Sequence, residues 1–177
     1  MARTKREQDR QSKRDEIVEA ARELFIQEGY EASSMSRLAT TAGVAPNTIY
    51  WYFKDKDEVL VAVLDAEFST RMAEYLQLQV IKPTERLLWI VNQLEQVNRL
   101  IATVHSRLEK SPVVNAWHER FHELTEEMLR LELRQVGIAS EKIDPLVKIS
   151  IFTIEGLLTH QLAGNEKQAI CEALFSV

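Results

Sequence analysis

The sequence has 177 residues, of which 45% are hydrophobic and 28% charged, with only five Gly and four Pro. This composition excludes a disordered or collagen-like chain and disfavours a many-turned all-β fold. The net charge is −5, and a lone cysteine, Cys171, excludes an intramolecular disulfide and leaves a cysteine-based zinc site without ligands.

Positive charge is concentrated at the N-terminus. The first fourteen residues carry six Lys or Arg residues against two acidic ones, whereas the segment from Asp57 onward carries twelve basic and eighteen acidic residues. Basic arms that bind nucleic acid show this pattern, and so does a solvated, frayed tail. No signal-peptide core follows, and the most apolar window, residues 149–158, is far shorter than the roughly 20 residues of a membrane span. We expect a cytoplasmic protein without membrane association.

The first helix is predicted from Ile17, Ala20, Ala21, Leu24 and Phe25, whose spacing places them on one buried face. Beyond it, prolines predict helix starts and glycines predict helix ends, because Pro is tolerated in a first turn and Gly favours a left-handed cap. These markers are Pro46, Pro83, Pro112 and Pro145 for the starts, and Gly29, Gly43, Gly137 and Gly164 for the ends.

A short helix, a glycine turn and a second helix are predicted between residues 33 and 56. Ser34 suits the N-cap of a helix over residues 35–41, since its hydroxyl accepts an otherwise unpaired backbone N–H. Gly43 supplies the positive φ that a sharp corner between helices requires. The second helix starts near Pro46. This order of elements is typical of helix-turn-helix motifs that bind DNA.

The second helix of this motif has two contrasting faces. Ile49 and Phe53 are predicted to point inward, and two large aromatic side chains on the opposite, solvent-facing side need an explanation. DNA binding explains them, because such helices enter the major groove and make base and phosphate contacts. The alternative is that the aromatic side chains pack beneath a second domain. The candidate DNA-binding residues are Ser34, Ser36, Arg37, Pro46, Asn47, Thr48, Tyr50, Trp51, Lys54 and Lys56.

A long helix from about residue 57 into the late seventies is predicted to be shared between two parts of the molecule. Further on, apolar stripes predict one or two helices over residues 87–108 and another over residues 117–131, packed in antiparallel fashion. Residues 143–162 leave hardly any polar face and must be covered on more than one side. We expect a subunit interface there, the alternative being one large monomeric core. Its candidate residues are Ile151, Ile154, Glu155, Leu158, Leu162, Ile170 and Leu174.

From residue 24 to residue 64 the chain reads, in series, LFIQEGYEASS, MSRLATTAGVAPNTIYWYF and KDKDEVLVAVL. With the helix from Ile17, this series resembles the DNA-binding domain of the TetR family of bacterial transcriptional regulators. The resemblance implies an all-α homodimer with a C-terminal four-helix interface, a ligand pocket in the middle helices, and a phosphate-binding lysine at Lys56. Gly is frequent in the family where Asn47 stands, and His where Tyr52 stands. These departures leave the fold intact and the operator sequence open.

The predicted fold is therefore all-α, with a helix-turn-helix three-helix domain over residues 1–56 joined by a shared helix to a ligand-binding and dimerisation domain over residues 57–177. The second domain's aromatic and polar side chains could line a pocket, although the aromatic ones also fall on core stripes. His118 and His122 stand four apart, a spacing that can hold a metal, but no third ligand is apparent, so neither metal nor cofactor is expected. The pocket candidates are Trp89, His105, Arg107, Trp117, His118, Phe121, His122 and Phe152.

The function predicted is a sequence-specific transcriptional repressor that an unknown small-molecule effector releases from a palindromic double-stranded operator. An enzyme is disfavoured because the sequence has no Gly-rich phosphate loop, nucleophile elbow or HExxH motif. The alternative is a DNA-dependent effector or adaptor that acts through a protein partner, without an inducer.

Overall fold

The computed structural model describes residues 2–78, 82–160 and 162–175, and leaves out the side chains of residues 2–6. This part of the chain is all α and contains no strand. Its helices are α1 (Ala2–Gln27), α2 (Met35–Thr41), α3 (Pro46–Ile49), α4 (Lys56–Gln77), α5 (Pro83–Gln96), α6 (Asn98–Arg107), α7 (Pro112–Gln135), α8 (Ser140–Thr159) and α9 (Gly164–Phe175).

The chain forms two compact units. The first comprises the residues up to Glu74 together with Arg99–His118, and the second comprises Tyr75–Asn98 together with the residues from Glu119 onward. The predicted domain boundary between residues 56 and 57 does not coincide with the boundary between these compact units. The assignment of residues 1–56 to DNA binding and 57–177 to ligand binding and dimerisation stays a prediction about function, which need not follow compactness.

The core of the first unit is built from the apolar faces of its helices. In α1, the predicted stripe is buried at Ile17, Ala21, Leu24 and Phe25. α1 packs on α2 and α2 packs on α3. Each fully buried aliphatic or aromatic side chain of this kind contributes about 1.5–3 kcal/mol. Other buried members are Leu38, Ile49, Phe53, Val59, Leu60, Val63, Leu100, Val104 and Val114.

The second unit has two apolar clusters. In one, α5, α8 and α9 meet through Leu87, Val91, Leu157 and Cys171. In the other, Leu133 of α7 is buried with Ile143 and Val147 of α8. Burial raises the pKa of the Cys171 thiol, which here acts as a small apolar side chain.

The predicted helix starts are confirmed at Pro46, Pro83 and Pro112, each the first residue of its helix. The prediction is wrong for Pro145, which lies inside α8 because that helix already begins at Ser140. Its missing N–H would have met the carbonyl of Glu141, and since both residues are exposed, water can satisfy that oxygen.

The predicted helix ends are confirmed at Gly29, Gly43 and Gly137, which all have positive φ. Gly164 is the exception. It is the first residue of α9 and has no positive φ, so the glycine there starts a helix instead of ending one.

One predicted core stripe is only partly buried. On α7, Trp117 is buried, but Leu124 and Leu131 are 55% and 53% exposed in the single chain. Within the described residues, every helix is too short or too polar to span a bilayer.

Candidate nucleic-acid interface

The start of α2 is fixed by two serines with different tasks. The Ser34 hydroxyl accepts a hydrogen bond from the Arg37 backbone N–H at 3.2 Å, which confirms the predicted N-cap. Ser33 is buried and donates to the Gly29 carbonyl at 2.9 Å. Ser34 and Ser36 remain exposed at this helix N-terminus, where backbone N–H groups favour an anion such as a phosphate.

The turn between α2 and α3 closes on Gly43, whose φ is +65°. The Ala42 N–H donates to Leu38 O and the Val44 N–H to Ala39 O, both at 2.9 Å, so these two carbonyls near the end of α2 are satisfied. Val44 is half-buried beneath the corner. The turn therefore sets the direction in which α3 leaves α2.

α3 is a single turn, shorter than helices that carry their own stability. It continues through i→i+3 bonds from Trp51 N–H to Thr48 O at 3.1 Å and from Tyr52 N–H to Ile49 O at 3.0 Å. Ile49 and Phe53 are buried, which confirms the predicted inner face. These two side chains anchor the short helix to the core of the first unit.

The outer face of α3 presents polar and aromatic groups to solvent. Asn47 is exposed, Tyr50 is 54% exposed and Trp51 is 74% exposed, while Thr48 is half-buried. These aromatic side chains are therefore not core residues of the single chain. The phenol and indole each carry a donor that can reach a phosphate, and the Asn47 amide can both donate and accept.

Two cations predicted to contact DNA also make contacts within the protein. The Lys56 Nζ donates to Tyr30 O at 2.8 Å and to Ser33 O at 2.9 Å, and lies 4.0 Å from the Tyr30 ring centroid. Burial lowers the pKa of Lys56. An ammonium has three donors, so Lys56 ties the loop before α2 to α4 with two of them. Arg37 forms a two-bond ion pair with Glu28, whereas Lys54 is exposed.

An ion pair that sequence reasoning missed lies behind this loop. Arg107 at the end of α6 donates from Nε to Asp57 Oδ1 at 3.0 Å and from Nη2 to Asp57 Oδ2 at 2.6 Å. The Tyr30 hydroxyl donates to the same carboxylate. Burial raises the pKa of Asp57, but hydrogen bonds from Arg107, Tyr30 and Ser111 outweigh it, so the pKa lies below its ordinary value. No sequence pattern connects residues 50 positions apart.

The pocket candidates of the first unit are mostly engaged with other side chains. Arg107 holds Asp57, and the Trp117 indole donates to Asp65 at 2.8 Å. His105 and His118 meet edge to face, with ring centroids 5.5 Å apart. Their role in binding a ligand stays a prediction.

The pocket candidates of the second unit contact a neighbouring ring or lie at the surface. The rings of Trp89 and Tyr75 are tilted against each other with centroids 5.9 Å apart, and Phe121 contacts its neighbour His122. Phe152 is 66% exposed on α8. Among the described residues, no three His, Cys, Asp or Glu side chains come together to hold a metal ion.

The predicted interface residues divide between the core and the surface. Ile154, Leu162 and Leu174 pack against the cluster around Leu87, and Ile151 packs against the cluster around Leu133. The remaining three are Glu155 and Ile170, which are exposed, and Leu158, which is half-buried.

Comparison with known proteins gives a family match for the N-terminal region. Residues 17–63 match the model of the bacterial regulatory proteins of the tetR family. The chain is 28% identical over 152 residues to the fatty acid metabolism regulator protein of Bacillus subtilis, covering 85% of this chain and 69% of that protein. It is 26% identical over 174 residues to the transcriptional repressor AcnR of Corynebacterium glutamicum, covering 91% and 88%.

Solved structures agree on the fold. A transcriptional regulator from Rhodococcus sp. matches with a TM-score of 0.76 at 16% identity, over 91% of this chain and 92% of that one. At this identity the likeness concerns the fold alone.

Proposed function

We propose that the chain is a DNA-binding regulator of the TetR family of bacterial transcriptional regulators and acts as a homodimeric repressor of a palindromic operator. A small molecule would release it. The observation that carries the DNA-reading assignment is the outer face of α3, where Asn47, Tyr50 and Trp51 are exposed above a buried pair, Ile49 and Phe53.

In this proposal α3 enters the major groove and α2 crosses the DNA backbone. Asn47 offers the donor and acceptor that pair with the N6 and N7 atoms of adenine, and the exposed Pro46 offers an apolar contact to a thymine methyl. Tyr50 and Trp51 donate to phosphates on either side. Ser34 and Ser36 hold a further phosphate at the N-terminus of α2.

Release by a ligand requires that the ligand bind the DNA-free form more tightly than the DNA-bound form. The pocket candidates of α5 to α7 are the residues that we assign to this task, and the effector itself is unidentified. The relative from Bacillus subtilis regulates fatty acid metabolism, which makes genes of lipid metabolism the first targets to examine. Because a bacterial operator lies in the cytoplasm, we expect the protein to act there.

The test is binding to the DNA upstream of the protein's own gene, measured by fluorescence anisotropy. Asn47→Ala should weaken binding by about 1–3 kcal/mol and relax the preference for one base pair. Asn165→Ala, at another exposed Asn, is the matched control and should bind as the wild type does. Equal affinities of the Asn47 and Asn165 variants would refute the assignment of α3 as the reading helix.

A further inference from the structure

α1 extends well beyond the core that it packs on. It has 26 residues and so measures about 39 Å, but its buried positions begin only at Ile17. Residues 7–12 are exposed and residues 13–16 are at most half-buried. A helix that is polar all round needs a reason to stay helical.

The charges on this N-terminal half are sorted by helix face. The buried stripe of Ile17, Ala21 and Leu24 continues towards the N-terminus as Arg14, Lys13 and Arg10, at steps of three and four residues. In the sequence, Arg3 and Arg6 keep the same spacing, although their side chains lie outside the described residues. The face that packs on the DNA-reading motif thus becomes a basic stripe where the core ends.

This basic stripe borders the end of the reading helix. Arg10 Nη2 lies 3.4 Å from the Trp51 carbonyl oxygen, to which it donates, and the Arg14 guanidinium lies 5.0 Å from the Phe53 ring centroid. Between the two elements runs an open groove of about 530 Å³. Its lining residues are Asp9, Arg10, Lys13, Trp51 and Tyr52.

The groove has the chemistry of a phosphate site. Its lining includes two cationic residues and Trp51, whose indole carries a donor, against one acidic residue, Asp9. Lys13 also pairs with Glu16, whose side chain is 54% exposed, so this pair can exchange for a phosphate at small cost. A phosphate contacted by Trp51 would lie beside Arg10 and Lys13.

We propose that the N-terminal half of α1 is a second DNA contact, in which Arg10 and Lys13 bind two adjacent operator phosphates at the groove beside Trp51. This inference rests on the proposed function, since it needs α3 to be on DNA. Because phosphates carry no sequence information, the contact adds affinity equally on all sequences and makes it more dependent on salt.

The test compares two double variants with identical chemistry. Arg10→Gln with Lys13→Gln removes the two groove cations, and Arg134→Gln with Lys142→Gln removes two exposed cations of the second unit. Binding to operator and to a scrambled duplex is measured by anisotropy across a salt series. The groove variant should lower the slope of log affinity against log salt by about 3.6 for a dimer, since each protomer loses two phosphate contacts at about 0.9 per contact. It should weaken binding to both duplexes by the same factor.

Two further measurements separate the causes. Gln is a good helix former, so circular dichroism should show an unchanged fold. The single variants Arg10→Lys and Arg10→Gln are then compared. Arg10→Lys keeps the charge, so its affinity should depend on salt nearly as steeply as that of the wild type. If Arg10 served only to position Trp51, both variants should show the same salt dependence. An unchanged slope in the groove variant, or an equal decrease in the control variant, would overturn the proposal. A wild type that fails to bind any duplex would instead refute the proposed function.

Discussion

Asp57 joins residues from three separate parts of the first unit. Its carboxylate accepts from Tyr30 in the loop after α1 and from Arg107 at the end of α6, and Ser111 before α7 helps to lower its pKa. The Arg107 and Asp57 side chains are 22% and 15% exposed, so the pair is shielded from solvent more than surface ion pairs are. Lys56 donates to two backbone carbonyls of the loop between α1 and α2. The neighbouring residues Lys56 and Asp57, which carry opposite charges, therefore both hold this loop in place.

We expect Asp57→Asn to lower the free energy of unfolding at about pH 7 by about 1–3 kcal/mol, because Arg107 loses its charged partner. The pKa of Asp57 is lowered in the folded protein, so its contribution is complete above the unfolded pKa of about 3.9 and is lost as pH falls through the lower, folded pKa. The difference between wild type and variant should therefore shrink towards about pH 3. Denaturant unfolding at both pH values measures it.

Asp9→Asn changes an exposed aspartate in the same way and should leave stability unchanged at either pH. A loss for Asp57→Asn that matches this control, or that stays constant as the pH falls, would contradict the role given to the ion pair.

Neither the ion-pair partner of Asp57 nor its degree of burial was predictable from the sequence. Local spacing constrains which residues share a helix face, whereas the contact between α4 and α6 depends on how the helices pack.

At the scale of elements, the ends of α2 and α3 followed closely from residue types. The Ser34 cap, the Gly43 corner and the inward pair Ile49 and Phe53 were all predictable, because each depends on backbone geometry within a few residues. The position of Pro145 inside α8 was not predictable. The helix begins earlier, at Ser140, and whether a helix tolerates an internal Pro depends on whether the carbonyl left unpaired can reach water. The start of α1 was not predictable either, because its polar N-terminal half has no periodic apolar residues that would indicate a helix.

Gly43, which follows the end of α2, can be compared directly with Gly164, which begins α9. A Cβ at either position would meet no atom within 4 Å, but only Gly43 has a positive φ. We expect Gly43→Ala to destabilise the protein by about 1–2 kcal/mol through left-handed strain alone, and Gly43→Asn to cost less because Asn tolerates that conformation. Gly164→Ala should be neutral or slightly stabilising. Thermal unfolding of the three variants measures this order, and equal costs for both alanine variants would contradict it.

At the scale of the whole molecule, α8 carries two large apolar side chains that the single chain leaves exposed. Ile149 and Phe152 stand three residues apart and are 48% and 66% exposed. Exposed apolar residues are normal singly, but a run of them on one helix face marks an interaction surface. The sequence predicts an interface that includes Ile154 and Glu155 of this helix and places Phe152 in the pocket. Ile154 is half-buried against the cluster around Leu87, whereas Glu155 is exposed, and both assignments stay predictions. A helix that is apolar nearly all round does not reveal from its sequence which stripe faces its own core.

We therefore expect the wild type to sediment as a dimer at micromolar concentration and Phe152→Glu to shift it to monomer, because a buried carboxylate would lack a partner in the interface. Leu76→Glu is the matched control: Leu76 is 73% exposed on α4 and should leave the dimer intact. Melting temperature should rise with protein concentration for the wild type and for Leu76→Glu, but not for Phe152→Glu. A dimeric Phe152→Glu protein would move the interface away from this face of α8. A monomeric wild type would remove the reason for a palindromic operator, since such sites match two-fold symmetric proteins.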